Sequence, residues 1–228
     1  MRIALPIASL LIAGTLVGCG GEQSAVSPRT TGSNTTGAVA TSATAPTASP
    51  TPEASAYEIL TQAALEEALL AVDQLPPGYS QDPPNKVGGN RHFCDYTPPT
   101  EEKFRVRRDF TKGGGLSAEL ISITLRQFKS VEEASAAWNA MTETLKTCKG
   151  EVHEGTKLTY SPMSAPKLGD ASTGVKVDAD GVTLLQNFVL VGPVMISAGG
   201  GGLMNADADT IANLLETQVE RYVGAAMN

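Results

Sequence analysis

The run GVTLLQNFVLVGPVMISA, residues 181–198, constrains the fold more than any other stretch of the chain. Its apolar side chains occupy both alternating phases, and Gly192-Pro193 interrupts it near the middle. Successive side chains of a strand point to opposite faces of a sheet, so a strand that is apolar in both phases is covered on both faces. The run therefore predicts a central β-hairpin, with strands at 182–191 and 194–199, that has other elements packed above and below it.

Further strands are predicted on both sides of this hairpin in the sequence. Residues 104–111 alternate between mostly apolar and polar side chains, and a second strand at 116–128 pairs back on them. The apolar phase of that second strand slips near residues 119–121, for which a β-bulge is the expected cause. Shorter strands are expected at 156–161 and 173–178.

Three helices complete the predicted fold. Residues 58–73 carry apolar side chains at three- and four-residue steps, as does a longer segment that begins at the capping-box sequence Ser130-Val131-Glu132-Glu133 and ends at Gly150. A last helix begins after a cap at Asp207 or Asp209. The expected class is α+β, an antiparallel sheet of about five or six strands flanked by helices.

A segment of biased composition precedes the predicted domain. Residues 20–56 consist almost wholly of Gly, Ser, Thr, Pro and Ala and contain no aromatic residue. Such a segment buries too little apolar surface to offset its ordering entropy, so it is predicted to be a disordered linker. We therefore expect a signal peptide at 1–18, Cys19 with its linker at 19–56, and one domain at 57–228.

The N-terminal residues predict export. Arg2 is the only charge before Cys19, and the apolar run between them is too short to span a bilayer. Leu16-Val17-Gly18-Cys19 resembles the bacterial lipobox, which implies that Cys19 becomes the first mature residue and carries fatty acyl chains such as palmitate. The expected location is the extracytoplasmic face of the cell membrane, held by a lipid anchor. A general secretory signal with an incidental cysteine is the alternative.

Two cysteines remain in the domain, Cys94 and Cys148. An exported chain meets oxidising conditions, so an even pair favours a disulfide. A metal site that uses His92 is the alternative, but zinc prefers four ligands and the only other histidine is His153. The sequence therefore favours the disulfide, which would fix a proline-containing loop at 79–102 near its middle, at Cys94.

No catalytic motif is recognisable. The run Gly199–Gly202 follows a strand and leads to a helix, as phosphate-binding loops do, but it lacks the residues of a P-loop. A flexible connection is the preferred interpretation. The chain has no Gly-x-Ser-x-Gly motif and few histidines to serve as a base. We therefore expect no enzyme activity and no cofactor.

The net charge of the chain and the position of its basic residues limit the classes of partner that it is expected to bind. The net charge of −7 gives the chain no electrostatic reason to bind nucleic acid. Arg105, Arg107 and Arg108 form a local basic cluster that could receive an anionic ligand. The same arginines can also be ordinary charged residues on the outer face of an edge strand, and this second interpretation is preferred.

The arrangement of these segments resembles the PknH-like extracellular sensor domains of actinobacterial kinases and lipoproteins. The resemblance rests on LPPGY after the first helix, on FKSVEEASAAWNAMTETLKTCKG, and on the apolar hairpin with its terminal helix. It implies a sheet flanked by helices with a cleft for a ligand. The kinase domains carry two disulfides, whereas this chain can form one.

The expected function is a lipid-anchored, non-catalytic, sensor-like or ligand-binding domain outside the cytoplasmic membrane. Its partner would be a small molecule, a lipid or an envelope protein. The alternative is a carrier or chaperone for an apolar cell-envelope lipid. An enzyme with an unfamiliar site is a third hypothesis.

Overall fold

The computed structural model describes residues 56–84, 93–94, 96–202 and 207–227. The predicted signal peptide, Cys19, the linker up to residue 55 and His92 lie outside the described residues. Within the described part of the chain, no helix is both long and apolar enough to cross a membrane.

One antiparallel sheet of eight strands forms the centre of the fold, in the order β1-β2-β3-β8-β7-β6-β5-β4. The predicted α+β class is confirmed, but the expected five or six strands were too few. The strands are β1 (Tyr79–Gln81), β2 (Phe104–Lys112), β3 (Glu119–Gln127), β4 (Gly150–His153), β5 (Thr156–Met163), β6 (Ala171–Ala179), β7 (Val182–Val191) and β8 (Val194–Gly202).

The two additional strands lie at the two edges of the sheet. β1 is three residues long and pairs with the end of β2, so that β2 is not the edge strand assumed from the sequence. β4 pairs with β5 at the opposite edge, and its Val152 side chain is largely exposed. Short edge strands bury little, so their sequences lack the apolar alternation that identifies longer strands.

Helices cover both faces of the sheet. α1 (Gln62–Glu67) and α3 (Ala208–Ala226) pack on one face, and α2 (Val131–Thr147) packs on the other. α1 is much shorter than the predicted helix at 58–73, although a 3₁₀ turn follows it at Val72–Gln74. The Ser130 hydroxyl accepts a hydrogen bond from the Glu133 backbone N–H, as a capping box requires, and Asp207 caps α3.

The central hairpin separates two hydrophobic cores. Val189 and Ile196 face α1 and α3, whereas Phe188 and Met195 face α2, and all four side chains are buried. The prediction of a hairpin covered on both faces is therefore confirmed. All buried residues of both cores lie between Leu60 and Ala226.

β2 and β3 pair without the predicted β-bulge. Their register is continuous from Phe104 opposite Gln127 to Lys112 opposite Glu119. The slip of apolar phase has another cause, because Leu116 belongs to a 3₁₀ turn before the strand begins. Leu120 then points to the α2 face of the sheet, where it is half exposed.

The glycine run is not a connection between elements. Gly199–Gly202 form the last part of β8, where they pair with β3 on one side and with β7 on the other. At Gly200, an added Cβ would lie 2.7 Å from Ile211 Cδ1 of α3. Glycine at this position therefore lets the helix approach the sheet closely, and the expectation of a flexible loop was wrong.

Two buried glutamines attach the first segment of the domain to the rest. The Gln127 side chain accepts from the Leu60 N–H at 3.0 Å and donates to the Leu60 carbonyl at 2.7 Å. The Gln218 side chain accepts from the Leu70 N–H at 2.9 Å and donates to the Ala68 carbonyl at 2.8 Å. These side chains complete backbone hydrogen bonding where no strand is available to do so.

Candidate functional site

A cleft of about 510 Å³ opens between α2 and the sheet. Its volume lies in the range of about 300–1,000 Å³ that is usual for small-molecule sites. We call it the α2 cleft. Met141 and Leu145 of α2 form its roof, and side chains of β2, β3 and β5–β8 form its floor.

One side of the floor is polar. Arg107 on β2, Thr124 on β3 and Ser197 on β8 occupy neighbouring positions in one cross-strand row. Asp109 and Ser122 form the next row toward the open end. These side chains supply hydroxyl groups and charges to this part of the cleft.

The other side of the floor is mostly apolar. Phe188 on β7 follows Ser197 in the first row, while Val175 and Val177 on β6 lie in the next two rows, opposite Gln186 and Leu184. Leu184, which is about a third exposed, stands at the open end of the same side. The floor therefore changes from polar side chains on β2 and β3 to mostly apolar side chains on β6 and β7.

Glycine on β8 keeps the middle of the floor open. Gly199 lies between Ser122 of β3 and Gln186 of β7, on the face that α2 covers. An added Cβ would come within 3.3 Å of both Gln186 Cγ and the Leu185 carbonyl oxygen of β7, so a larger residue fits only with a small shift at this position. The missing side chain leaves space in the floor that larger residues would fill.

The disulfide holds one wall of the cleft. Cys94 and Cys148 are joined, as predicted, with 6.1 Å between their Cα atoms. Next to Cys94, the rings of Phe93 and Tyr96 stack with centroids 5.4 Å apart, and both line the cleft. The Tyr96 hydroxyl donates to the Ala137 carbonyl of α2 at 3.1 Å. The cross-link therefore fixes part of the predicted loop at 79–102 against α2.

Glu151 of β4 supports the same wall. One of its carboxylate oxygens accepts from the Cys94 N–H at 2.7 Å, and the other accepts from the Tyr160 hydroxyl at 2.6 Å. Cys94 has a positive φ of 49°, a conformation that is uncommon for residues other than glycine. Glu151 thus joins the disulfide, a strained backbone position and a tyrosine that lines the cleft.

The three arginines singled out in the sequence do not converge. Arg105 forms two hydrogen bonds to Glu102, and Arg107 pairs with Asp109 at 2.7 Å. Arg108 points to the opposite face, where it donates to the Leu69 and Leu70 carbonyls at 3.0 Å. Of the three, only Arg107 lines the α2 cleft.

A fourth arginine, which the sequence analysis did not single out, lies at the inner end of the cleft. Arg126 lines the cleft, its side chain is 27 % exposed, and its Nη1 lies 3.7 Å from Glu102 Oε1. Burial lowers the pKa of the Arg126 guanidinium, while Glu102 opposes this effect and Arg105 adds to it. The sequence alone does not reveal this position, because it is the pairing of β3 with β2 and β8 that places Arg126 on the face that lines the cleft.

A second depression, beside the N-terminus of α3, contains paired charges. The Tyr79 hydroxyl and the Lys112 ammonium both donate to Glu119 Oε2, at 3.0 and 3.2 Å. Burial and Glu119 raise the pKa of Tyr79 to about 12, so this hydroxyl stays protonated at neutral pH. These three groups therefore bind one another.

Histidine, cysteine and carboxylate side chains form no metal centre in the described ranges, where no three of them are placed to share an ion. His153 lies on β4 at the edge of the sheet, partly exposed, with Glu154 Oε1 3.9 Å from its Nε2. The metal-site alternative for Cys94 is also excluded by its disulfide.

Comparison with known proteins shows the fold alone. No family model matches the chain, and no curated protein matches it significantly. The structure is similar to the crystal structure of the extracellular domain of PknH from Mycobacterium tuberculosis, with a TM-score of 0.51 and 8 % sequence identity. The match covers 74 % of this chain and 99 % of that domain. A PknH-like fold is therefore confirmed, whereas a lipoprotein of actinobacterial origin stays a prediction.

Proposed function

We propose that this protein is a lipid-anchored, extracytoplasmic domain that binds a small molecule in the α2 cleft, in a sensor-like role and without catalysis. The observation that carries the proposal is the cleft itself, which has an amphipathic floor and a wall fixed by a disulfide. A cleft of this size that brings polar and apolar side chains together is a usual place for a small-molecule ligand.

The PknH extracellular domain supports the extracytoplasmic part of the proposal, because that domain has a similar fold and lies outside the cell. The sensor-like role rests on the resemblance to PknH-like extracellular sensor domains. The disulfide supports an extracytoplasmic location, since such bonds persist under oxidising conditions. The second candidate is a carrier for an apolar envelope lipid. The exposed side chains of Leu120 and Leu184 at the open end favour it.

Anchoring is tested by Cys19→Ser. We expect the wild-type chain to incorporate labelled palmitate and to fractionate with membranes, because two or more acyl chains hold a protein there stably. The variant is expected to incorporate none. Labelling that persists in Cys19→Ser, or wild-type protein found unacylated in the cytosol, contradicts the proposal.

Ligand binding is tested by native mass spectrometry of the protein extracted from its own cell envelope. We expect wild type to retain a bound small molecule and Gly199→Val to lose most of it, because the valine occupies the floor of the cleft. Gly114→Val is the matched control, since Gly114 has an extended backbone and open space around its Cα. Equal occupancy in Gly199→Val and wild type contradicts a ligand site in the α2 cleft.

A further inference from the structure

We propose that the ligand of the α2 cleft is a single-chain anionic amphiphile, whose carboxylate or phosphate head binds at Arg126 and whose alkyl chain lies along the apolar floor on β6 and β7. This inference rests on the proposed function and specifies its ligand. Two observations support it. Arg126 is incompletely paired, and the floor changes from polar side chains on β2 and β3 to mostly apolar side chains on β6 and β7.

Arg126 belongs to a group of three charges that is not balanced. Glu102 accepts both hydrogen bonds of Arg105, while Arg126 lies 3.7 Å from the same carboxylate, beyond hydrogen-bond distance. Two guanidinium groups therefore share one carboxylate. Within the described part of the chain, that carboxylate is the one ion-pair partner of Arg126.

A guanidinium group matches an anionic head well. It carries five N–H donors in one plane and binds carboxylates and phosphates through two parallel hydrogen bonds. Thr124 and Ser197, in the next cross-strand row, are both buried and add hydroxyl donors beside it. The inner end of the cleft thus offers a positive charge and donors at a site partly removed from water, where charge interactions are stronger.

The apolar part of the floor is placed to receive a chain. From Thr124 the row continues through Ser197 to Phe188 and ends at Thr173 of β6, three strand spacings or about 14 Å away. The apolar side chains of β6 that line the cleft, Val175 and Val177, lie in the next two rows. Met141 and Leu145 of α2 cover this side from above. An extended chain that starts at Arg126 therefore finds apolar contacts below and above it.

Carboxylates near the cleft do not exclude an anionic head at this end. Asp109 pairs with Arg107 at 2.7 Å, and Asp82 accepts from Thr111 at 2.8 Å. Asp109 lies opposite Ser122, which is four residues and thus about 13 Å along β3 from Arg126. Asp109 is therefore distant from Arg126 and is neutralised by its own partner, while Glu102, the carboxylate beside Arg126, is bound by Arg105.

The inference is tested by calorimetric titration of the chain from Gly20 onward. This protein is produced by export so that the disulfide forms, and it retains all residues of both described cores. The probes are decanoate, decyl phosphate, decanol, decyltrimethylammonium and acetate. We expect decanoate or decyl phosphate to bind at least tenfold more tightly than decanol, the cation to bind weakest and acetate not to bind measurably. Which of the two anions binds better identifies the head group as carboxylate or phosphate.

Variants assign the preference to one side chain. Arg126→Gln is expected to reduce the binding of both anions to within about twofold of decanol, while decanol binding stays unchanged. Arg221→Gln is the matched control, because Arg221 lies on α3 at the opposite face and is expected to change neither. If Arg126→Gln does not fold, the order of the wild-type probes still decides the head-group charge.

Two results overturn the inference. If decanol binds wild type as tightly as decanoate and decyl phosphate, the head group is not recognised as an anion. If Arg126→Gln folds and keeps the anionic preference, Arg126 is not the head-group site. In both cases the native mass spectrometry of Gly199→Val decides separately whether the cleft holds a ligand. Failure of the amphiphile inference is thus distinguishable from failure of the proposed function.

Discussion

Replacing both Cys94 and Cys148 with alanine is expected to lower the free energy of unfolding by about 4 kcal/mol. The two residues are 54 positions apart, and the chain-entropy model gives about this value for a loop of that size. Cys148 is also buried, next to the apolar residues that pack α2 on the sheet. Denaturant unfolding followed by the fluorescence of Trp138, the single tryptophan, measures the loss.

Reduction provides the control for this variant. Dithiothreitol is expected to destabilise wild type by a similar amount and to leave the double-alanine protein unchanged. A loss below about 1 kcal/mol would show that the cross-link contributes little to the fold. We also expect faster hydrogen exchange at Phe93 and Tyr96 in the variant, because the wall of the α2 cleft is held there by the disulfide and by Glu151.

The elements that the sequence predicted well are those whose signals are local. The capping box at Ser130 and the apolar steps that follow it identify α2, because the hydrogen bond from the Glu133 N–H lies within one turn. The central hairpin was predictable for a related reason, since side chains that are apolar in both phases exclude a solvent-exposed face. Local patterns thus determined the class of the fold and the position of its centre.

The errors occurred where distant partners decide the structure. Gly199–Gly202 have almost no local preference for a strand, but β3 and β7 bind them on both sides. α1 is short because the residues after it are held by Gln218 and Arg108 instead of by helical hydrogen bonds. The local pattern at 58–73 could not show either partner.

The candidate site was the least predictable part of the molecule. The sequence singled out Arg105, Arg107 and Arg108 because they are close together in the chain. Their side chains instead point to two faces of the sheet, and each binds a carboxylate or a backbone carbonyl. Arg126 stands alone in the sequence. Its importance depends on the register between strands far apart in the chain, which no periodicity within a single strand reveals.

Gln127→Leu is expected to lower the free energy of unfolding by about 2–6 kcal/mol. Gln127 is fully buried and binds both the N–H and the carbonyl of Leu60. Leucine has a similar size but offers no polar atom, so it leaves two buried backbone groups without a partner. Each such group costs about 1–3 kcal/mol. Denaturant unfolding of the variant measures the loss.

The loss is expected to be localised as well as large. Because Gln127 and Gln218 each hold part of the segment between Leu60 and Leu70, amide exchange in Gln127→Leu should rise in that segment before it rises in β7 or β8. Gln62→Leu is the matched control, since Gln62 is exposed and its side chain, among the described residues, bonds to Glu66 on the same helix. We expect a loss of less than about 0.5 kcal/mol from it. Equal effects of the two substitutions would contradict a structural role for the buried amide. A selective effect would show that the first segment of the domain, from which the predicted linker departs, is attached through side-chain amides where the sheet has no strand to bind it.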